Sequence, residues 1–402
     1  MTHFHTIRDL DLKGKIVLLR ADLNVPAQGG KVTDTTRIDR LKPTIDYLCN
    51  AGARILILSH FGRPEGQRNP AMSLEFLPPI LKQCWGHPVR FATDCIGGPA
   101  QNMAAEIKDG DIALLENVRF HKEETANDPE FCKQLAALGD VYINDAFSAS
   151  HRAHASTEGL AHLLPCAAGL LMEEELNALN KALETPQKPV VAIAGGSKIS
   201  TKLGVLYNLI DRVDYLVLGG GMANTFLHAT GAEMGASLCE KDMAGEARKI
   251  IEHAQKKGCE IVLPADSIIV EDLHENADFK IAPSMNIPDG YSAIDVGPES
   301  LKELENILKN CKTLLWNGPL GVFEIKPFDK GTNALAEITA TLTQQGKLIS
   351  VAGGGDTVAA LENSGQITKL SYVSTAGGAF LEWLQGKTLP GVAALSNDRR
   401  AA

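Results

Sequence analysis

The sequence predicts an α/β protein of two doubly wound domains, each on a mainly parallel sheet. Three observations carry this expectation. Short apolar runs recur along all 402 residues, each leading through a Gly-rich or polar turn into a helix-like stretch. The runs are continuous rather than alternating, as suits strands covered on both faces. Ten such runs are many for one sheet, and their alternation with helical stretches argues for βαβ units.

In the first half the predicted strands lie within Lys15–Arg20, Arg54–Ser59, Ile112–Val118 and Val141–Asp145. In the second half they lie within Val190–Gly195, Tyr215–Gly220, Glu260–Ala265, Thr313–Gly318, Lys347–Gly353 and Tyr372–Gly377. Between the halves, Met172–Leu183 has helical periodicity and an acidic start, Glu173-Glu174-Glu175, which reads as a solvated face favouring a helix N-terminus. Pro186 and Pro189 stop that helix. The expected division is a first domain over 1–171, a connecting helix over 172–188 and a second domain over 189–384. The tail, 385–402, is punctuated by Pro and Gly, and its sequence is compatible with either fraying or docking.

The bulk composition narrows the class. A chain of this length buries about three quarters of its unfolded surface and needs no disulfide or metal staple. Charged residues make up 22%, which excludes wholesale disorder. With 39 Lys+Arg against 49 Asp+Glu the net charge is −10, which disfavours nucleic acid and anionic membranes as partners. The eight cysteines are scattered, without a Cys-x-x-Cys pair, and read as reduced core thiols of a cytoplasmic protein. No apolar run is long enough to span a membrane, and the first residues lack the apolar stretch of a signal peptide.

Ligands of open α/β sheets bind beyond the carboxyl ends of the strands, so the segments after each strand carry the functional reading. In the first half these are Arg20-Ala21-Asp22-Leu23-Asn24, His60-Phe61-Gly62-Arg63, Asn117-Val118-Arg119 and Ser150-His151-Arg152-Ala153-His154, with Arg37 after a turn. One such arginine alone is a surface residue or a structural ion pair. Several at separate strand ends can converge on a small anion, whose phosphate or carboxylate suits the guanidinium fork. His60, His151 and His154 lack metal-ligand spacing with Cys or carboxylates, so structural or anion-contacting roles outweigh metal ligation.

In the second half the same positions are mostly glycine: Gly195-Gly196-Ser197-Lys198, Gly219-Gly220-Gly221, Asn317-Gly318-Pro319-Leu320-Gly321, Gly353-Gly354-Gly355-Asp356-Thr357 and Gly377-Gly378. Glycine lets the backbone approach a phosphate, and the next helix presents free N–H groups to it. Asp356 reads as a helix N-cap or as the carboxylate that meets a nucleotide-bound Mg²⁺, and the two are compatible. Lys198 and Lys202, four apart, are expected on one helix face, near phosphate. Glu324 could accept from ribose hydroxyls, though alone it reads as a surface residue.

Standard motifs are absent. Gly386-Lys387-Thr388 has Leu381 where a Walker A loop needs its first glycine. Neither Gly219-x-Gly221 nor Gly353-x-Gly355 completes a dinucleotide fingerprint, and there is no nucleophile elbow. An anion site in one half and a nucleotide site in the other point to phosphoryl transfer, which needs alignment, charge neutralisation and exclusion of water rather than a protein nucleophile.

The segments RADLNVP, SHFGRP, LENVRF, NDAFSASHRAHAS, AGGSKISTK, NGPLGVFE, VAGGGDT, VSTAGGAFLE and PGVAALSN resemble, in order, those of the phosphoglycerate kinase family. The resemblance covers nearly the whole chain. It implies two Rossmann-like domains joined by a helical hinge, with the tail packed on the first domain. It implies a cytoplasmic monomer of glycolysis that interconverts 1,3-bisphosphoglycerate plus ADP with 3-phosphoglycerate plus ATP by direct in-line transfer after hinge closure. The acid substrate would be held by Asp22, Leu23, Asn24, Arg37, His60, Phe61, Gly62, Arg63, Arg119 and Arg152. The nucleotide would be met by Lys198, Lys202, Asn317, Glu324, Gly354, Gly355, Asp356 and Thr357, with Asp356 toward Mg²⁺. Arg37, Lys198 and the Gly377 and Gly378 amides would stabilise the phosphoryl group in flight. Ser197, where the family more often has Ala, and Ala21, where Val is common, are small departures.

Two rival readings stand beside it, an enzyme on the same fold class and a protein of a different functional class. An NAD(P)-dependent oxidoreductase would need the absent GxGxxG turn and its downstream acid. A non-catalytic nucleotide sensor would have no use for the basic set of the first half.

Overall fold

The computed structural model describes residues 4–396. It has two compact units. One takes the chain up to Leu176 and again from Thr388; the other is Asn177–Lys387.

The first unit is a six-stranded parallel sheet. In chain order its elements are β1 (Ile16–Arg20), the short hairpin β2 (Ala27–Gln28) and β3 (Lys31–Val32), α1 (Thr36–Asn50), β4 (Arg54–Leu58), α2 (Pro78–Trp85), β5 (Val89–Ala92), α3 (Gly97–Glu106), β6 (Ile112–Leu115), α4 (Lys122–Ala126), α5 (Pro129–Ala136), β7 (Val141–Asn144) and β8 (Cys166–Ala168). The strand order is β5-β6-β4-β1-β7-β8, and every neighbouring pair is parallel. Burial explains the continuous apolar runs: β4, β6 and β7 are almost wholly covered. Helix α1 buries Ile38, Leu41, Ile45 and Leu48, the three- and four-residue spacing of one helix face, on this sheet. β1 lies between β4 and β7, so the chain turns to opposite sides of it, and the ends of β1 and β7 flank that reversal.

Helix α6 (Leu170–Leu179) carries the chain from the first unit into the second and closes in a π-type turn, Asn180–Glu184, short of Pro186. Its first turn is held by Asp145, just past β7, whose Oδ1 accepts from Met172 N at 2.8 Å. Burial raises the Asp145 carboxyl to about 6. The acidic triplet does not lie wholly on a solvated face: Glu175 is buried, while Glu174 is exposed, because α6 turns one of three consecutive residues inward.

The second unit contains β9 (Val190–Ala194), α7 (Leu203–Ile210), β10 (Tyr215–Leu218), α8 (Gly220–Ala229), β11 (Glu233–Met234), α9 (Ala244–Lys257), β12 (Glu260–Val262), β13 (Asp266–Val270), β14 (Lys280–Pro283), β15 (Asn286–Ile287), β16 (Ser292–Val296), α10 (Pro298–Asn310), β17 (Thr313–Asn317), α11 (Lys330–Gln344), β18 (Ile349–Gly353), α12 (Gly355–Asn363), β19 (Tyr372–Ser374) and α13 (Gly377–Leu384). Its main sheet, β12-β10-β9-β17-β18-β19, is also parallel throughout. Here the reversal falls between β9 and β17. Beside it stands a three-stranded antiparallel sheet, β14-β13-β16, which the sequence did not announce.

The chain re-enters the first unit with α14 (Pro390–Ala393). Gly391 N donates to Ser150 O at 2.9 Å, and Ser396 bridges to Phe4. The last part of the predicted tail, 397–402, lies outside the described residues. Among the described residues no helix is long and apolar enough to cross a membrane.

Candidate functional site

In the first unit the polar segments after β1, β4, β6 and β7 form one connected network. Asp22 stands two residues past β1. Its Oδ2 accepts from Arg37 Nη1 at 2.9 Å and from the Ser148 hydroxyl, and its Oδ1 accepts from Asn24 N at 3.1 Å. Arg37, in the first turn of α1, also reaches Asn24 O at 2.9 Å. Asn24 Oδ1 accepts from Gly62 N at 2.9 Å, which links the β1 end to the β4 end. Gly62 O accepts from Arg119 Nη1 at 2.9 Å, which links β4 to β6. Asn117 braces that corner, donating from Nδ2 to Phe61 O at 2.8 Å and accepting from Arg119 N at 3.1 Å. Leu23 is buried, and its N–H donates to Ser59 Oγ at 2.9 Å.

The positive charge of this network is only partly neutralised. Burial, with Arg20, Arg119, Arg152 and His154 around it, holds the proton affinity of His60 well below that of ordinary histidine. Burial and the same three arginines take His154 down to about 4. Arg119 is lowered to about 10 by burial and then by Arg20 and Arg152. Its Nε–H is buried and finds no acceptor among the described residues. The counter-charge is Glu124, wholly buried, bound by Ser156 Oγ at 2.6 Å and 3.8 Å from His154 Nδ1.

Arg20 is the exception among the strand-end arginines. It is fully buried, and its guanidinium donates to Ser156 Oγ at 2.8 Å, to Ala21 O and to His60 Nδ1 at 3.0 Å. A guanidinium can only donate, so Nδ1 of His60 is the acceptor and the proton of the neutral ring sits on Nε2. Arg20 therefore orients His60. Arg152, half-buried, has its Nε 3.2 Å from His151 Nε2. Arg63 stands exposed beside Gly62, at the edge of the network, and among the described residues it makes none of the network's hydrogen bonds.

In the second unit Asn317, the last residue of β17, is the hub. Its Oδ1 accepts from Lys202 Nζ at 2.7 Å, and its Nδ2 donates to Gly353 O at 2.7 Å. Lys202 Nζ also reaches Gly195 O at 2.7 Å, which joins the ends of β9, β17 and β18. Burial lowers Lys202 to about 8, against the pull of the Asp356 carboxylate. Thr357 Oγ1 accepts from Gly318 N at 2.7 Å. Gly354 has φ +101°, and a Cβ there would stand 2.5 Å from Asn317 Nδ2. Such a turn belongs to glycine, and it sets the amides at the start of α12 facing outward. A Cβ on Gly377 would lie 3.9 Å from Gly355 N, so the starts of α12 and α13 are adjacent. Gly378 follows in the first turn of α13 and is exposed.

Three expectations need correcting or refining. Lys198 and Lys202 do not share a helix face: both precede α7, and Lys202 is its cap residue, because the chain spends Gly195–Thr201 on turns before the helix begins. Lys198 is exposed there. Asp356 is not the N-cap of α12; Gly354 takes that place, and Asp356 lies exposed in the first turn. Glu324 is exposed on the loop after β17, and among the described residues no hydrogen bond draws it to the Asn317 hub. Ser148 was missed because the reading of the segment after β7 began at Ser150. The strand pattern that points to post-strand residues would have reached it from Asp145 onward.

A model of the phosphoglycerate kinase family matches residues 7–387. The protein from Rhodospirillum centenum named phosphoglycerate kinase is 56% identical over 392 residues, 98% of this chain and 99% of that one. The one from Agrobacterium fabrum is 54% identical over 400 residues, 99% of this chain and 100% of its own. A solved phosphoglycerate kinase structure from Coxiella burnetii superposes with a TM-score of 0.92 at 42% identity, covering 98% of this chain and 99% of that one. The post-strand networks thus occur in a chain that matches the family along almost its entire length, and the chain belongs to the phosphoglycerate kinase family.

Proposed function

We propose that the two networks divide one reaction between them. The activity itself is that of the family, the phosphoglycerate kinase step of glycolysis. In our reading 3-phosphoglycerate or 1,3-bisphosphoglycerate occupies the first network, against Asp22, Leu23, Asn24, Arg37, His60, Phe61, Gly62, Arg63, Arg119 and Arg152. ADP or ATP occupies the second, against Lys198, Lys202, Asn317, Glu324, Gly354, Gly355, Asp356 and Thr357. The observation that carries this reading is Arg119: a buried guanidinium among like charges, with an Nε–H lacking an acceptor, gains most from an anion.

The family uses a magnesium nucleotide. Asp356 fits that need: it is one exposed carboxylate at the start of a helix whose amides suit phosphate, and Mg²⁺ with a nucleotide takes few protein ligands. Bound there, Mg²⁺ would neutralise phosphate charge.

The chain's own residues do the rest. The phosphoryl group leaves the carboxyl oxygen of 1,3-bisphosphoglycerate as the ADP oxygen bonds to phosphorus, giving 3-phosphoglycerate and ATP; the reverse step runs through the same atoms. A carboxylate is nucleophile or leaving group, so no side chain must take a proton. Arg37, Lys198 and the amides of Gly377 and Gly378 would hold the charge in flight, and direct transfer after hinge closure is part of this proposal. The test is a coupled assay of the purified protein with MgATP and 3-phosphoglycerate. Turnover that falls when Arg119 is replaced by Ala supports the reading; unchanged turnover in that variant refutes the assignment of the first network.

A further inference from the structure

The second unit holds a buried carboxylate that the proposed mechanism does not use. Asp295, on β16, is 6% exposed. Its Oδ1 accepts from Val296 N at 2.9 Å and its Oδ2 from Gly331 N, in the first turn of α11, at 2.8 Å. Among the described residues no ion pair holds it. Burial, together with Asp329 at the cap of α11, raises it to about 7. A buried charge of this kind is costly, and an amide would be cheaper to bury. A carboxylate has one property that an amide lacks: both of its oxygens accept.

Oδ1 is spent on the next residue of its own strand, and Oδ2 ties the start of α11, where the loop from β17 ends. The carboxylate lies against the loop in two places. A Cβ on Gly321 would stand 2.5 Å from Asp295 Oδ1, and one on Gly331 would stand 2.4 Å from the same atom. Around these contacts Val322 N donates to Ile294 O at 2.8 Å, and Leu320 N donates to Thr332 Oγ1 at 3.1 Å. Val322, Ile325 and Phe328 pack with Val270 and Ile294 on the antiparallel sheet. The loop is therefore held to β16 at Gly321-Val322 and at its entry to α11, and Asp295 lies against both points.

We propose that Asp295 is a positioning residue for nucleotide: it fixes the 318–330 loop, and with it the stretch from Asn317 to Glu324, in the form that receives the nucleotide. This inference rests on the nucleotide reading of that loop given above. It explains the antiparallel sheet as a brace for one loop of the parallel sheet.

The test pairs two variants with two readouts. Asp295→Ala removes both acceptors, and with them the bond from Gly331 N, whichever way an amide would have turned. Gly331→Ala keeps the charge, favours the helix, and drives a methyl group into the carboxylate. Each variant should raise KM for MgADP about tenfold, the effect of stranding the Gly331 N–H, and leave KM for the acid substrate unchanged. Hydrogen exchange in peptides covering 318–330 should quicken in both. Unchanged exchange in both variants overturns the clamp. Faster exchange with an unmoved nucleotide KM makes Asp295 a structural brace only, and the proposal fails. Failure of the nucleotide reading itself is distinguishable, since Lys202→Ala and Asn317→Ala would then leave nucleotide KM unchanged as well.

Discussion

The two networks are suited to anions by opposite means. In the first unit the donors are side chains that crowd one another: Arg119, Arg152, His60 and His154 each lose proton affinity or stand among like charges. In the second unit the positive side chains are few. Lys202 is engaged with backbone and Asn317, and what faces outward is the starts of α12 and α13. Guanidinium forks discriminate the shape of a small acid, whereas peptide amides approach closely and tolerate the several phosphates of a nucleotide. The difference follows from β-strand ends that carry arginine in one half and glycine in the other.

If this contrast governs the chemistry, removing charge from the first network should hurt most. Arg37→Ala is expected to lower kcat by about 10³, the scale of arginine stabilisation in phosphoryl transfer. Nucleotide KM should not change, because among the described residues Arg37 hydrogen-bonds Asp22 and Asn24, both in the first unit. Steady-state kinetics in both substrates measures this, and an equal loss in nucleotide KM would erase the proposed division.

Disturbing the backbone of the second network should act on the nucleotide alone. Gly354→Ala forces φ +101° on a residue with a side chain and pushes its methyl group onto Asn317. Strain of about 1–3 kcal/mol at such a position translates into a rise of about tenfold or more in nucleotide KM. KM for the acid substrate is the internal control.

The one strongly buried cation of the second network supplies a titration. Lys202 is lowered to about 8, so the free protein loses that charge as pH rises through 8. The charged form is the one that attracts phosphate. kcat/KM for nucleotide should therefore be level below pH 8 and fall about tenfold per unit above it. Lys202→Arg, which keeps its charge, should abolish the fall even at reduced activity.

How much of this contrast was legible in the sequence depended on burial. Each of the ten predicted runs contains a strand, and most of those strands are covered on both faces, although the edge strand β12 begins with exposed Glu260. The two missed members of the parallel sheets are the edges of the first: β5 alternates half-buried Val89 and Phe91 with exposed Arg90, and β8, Cys166–Ala168, has no β-branched residue, whereas the edges of the second sheet, β12 and β19, stand in apolar runs. In the antiparallel sheet, β14, Lys280–Pro283, is mostly exposed and lacks an apolar run, while β13 carries the apolar run Ile268-Ile269-Val270 that the reading passed over. Post-strand position found Asp22, Asn24, Arg119, Asn317 and Thr357, since topology alone brings those ends together. It did not separate Arg20, which orients His60, from arginines left with free donors, because that depends on Ser156 and His60 at remote positions in the chain. Nor did helical spacing survive at Lys198 and Lys202, where the glycine turn delays the helix.

The smallest expected effect lies at the residue the sequence reading passed over. Ser148 donates to the same Asp22 oxygen that accepts from Arg37 Nη1. Replacing Ser148 by Ala leaves Asp22 with Arg37 and Asn24 N, so its charge stays compensated and the fold should persist. The lost bond, to a charged acceptor, is worth about 1.5 kcal/mol, or roughly tenfold at most. Part of it returns as a tighter hold of Asp22 on Arg37, which leaves that guanidinium less free for the acid. KM for 3-phosphoglycerate should rise about fivefold, with kcat and nucleotide KM little changed. A double-mutant cycle decides whether the effect runs through Arg37: in an Arg37→Ala background the Ser148→Ala change should cost almost nothing. Full additivity would mean that Ser148 acts on the acid directly, and the first network would then owe part of its selectivity to a hydroxyl rather than to charge alone.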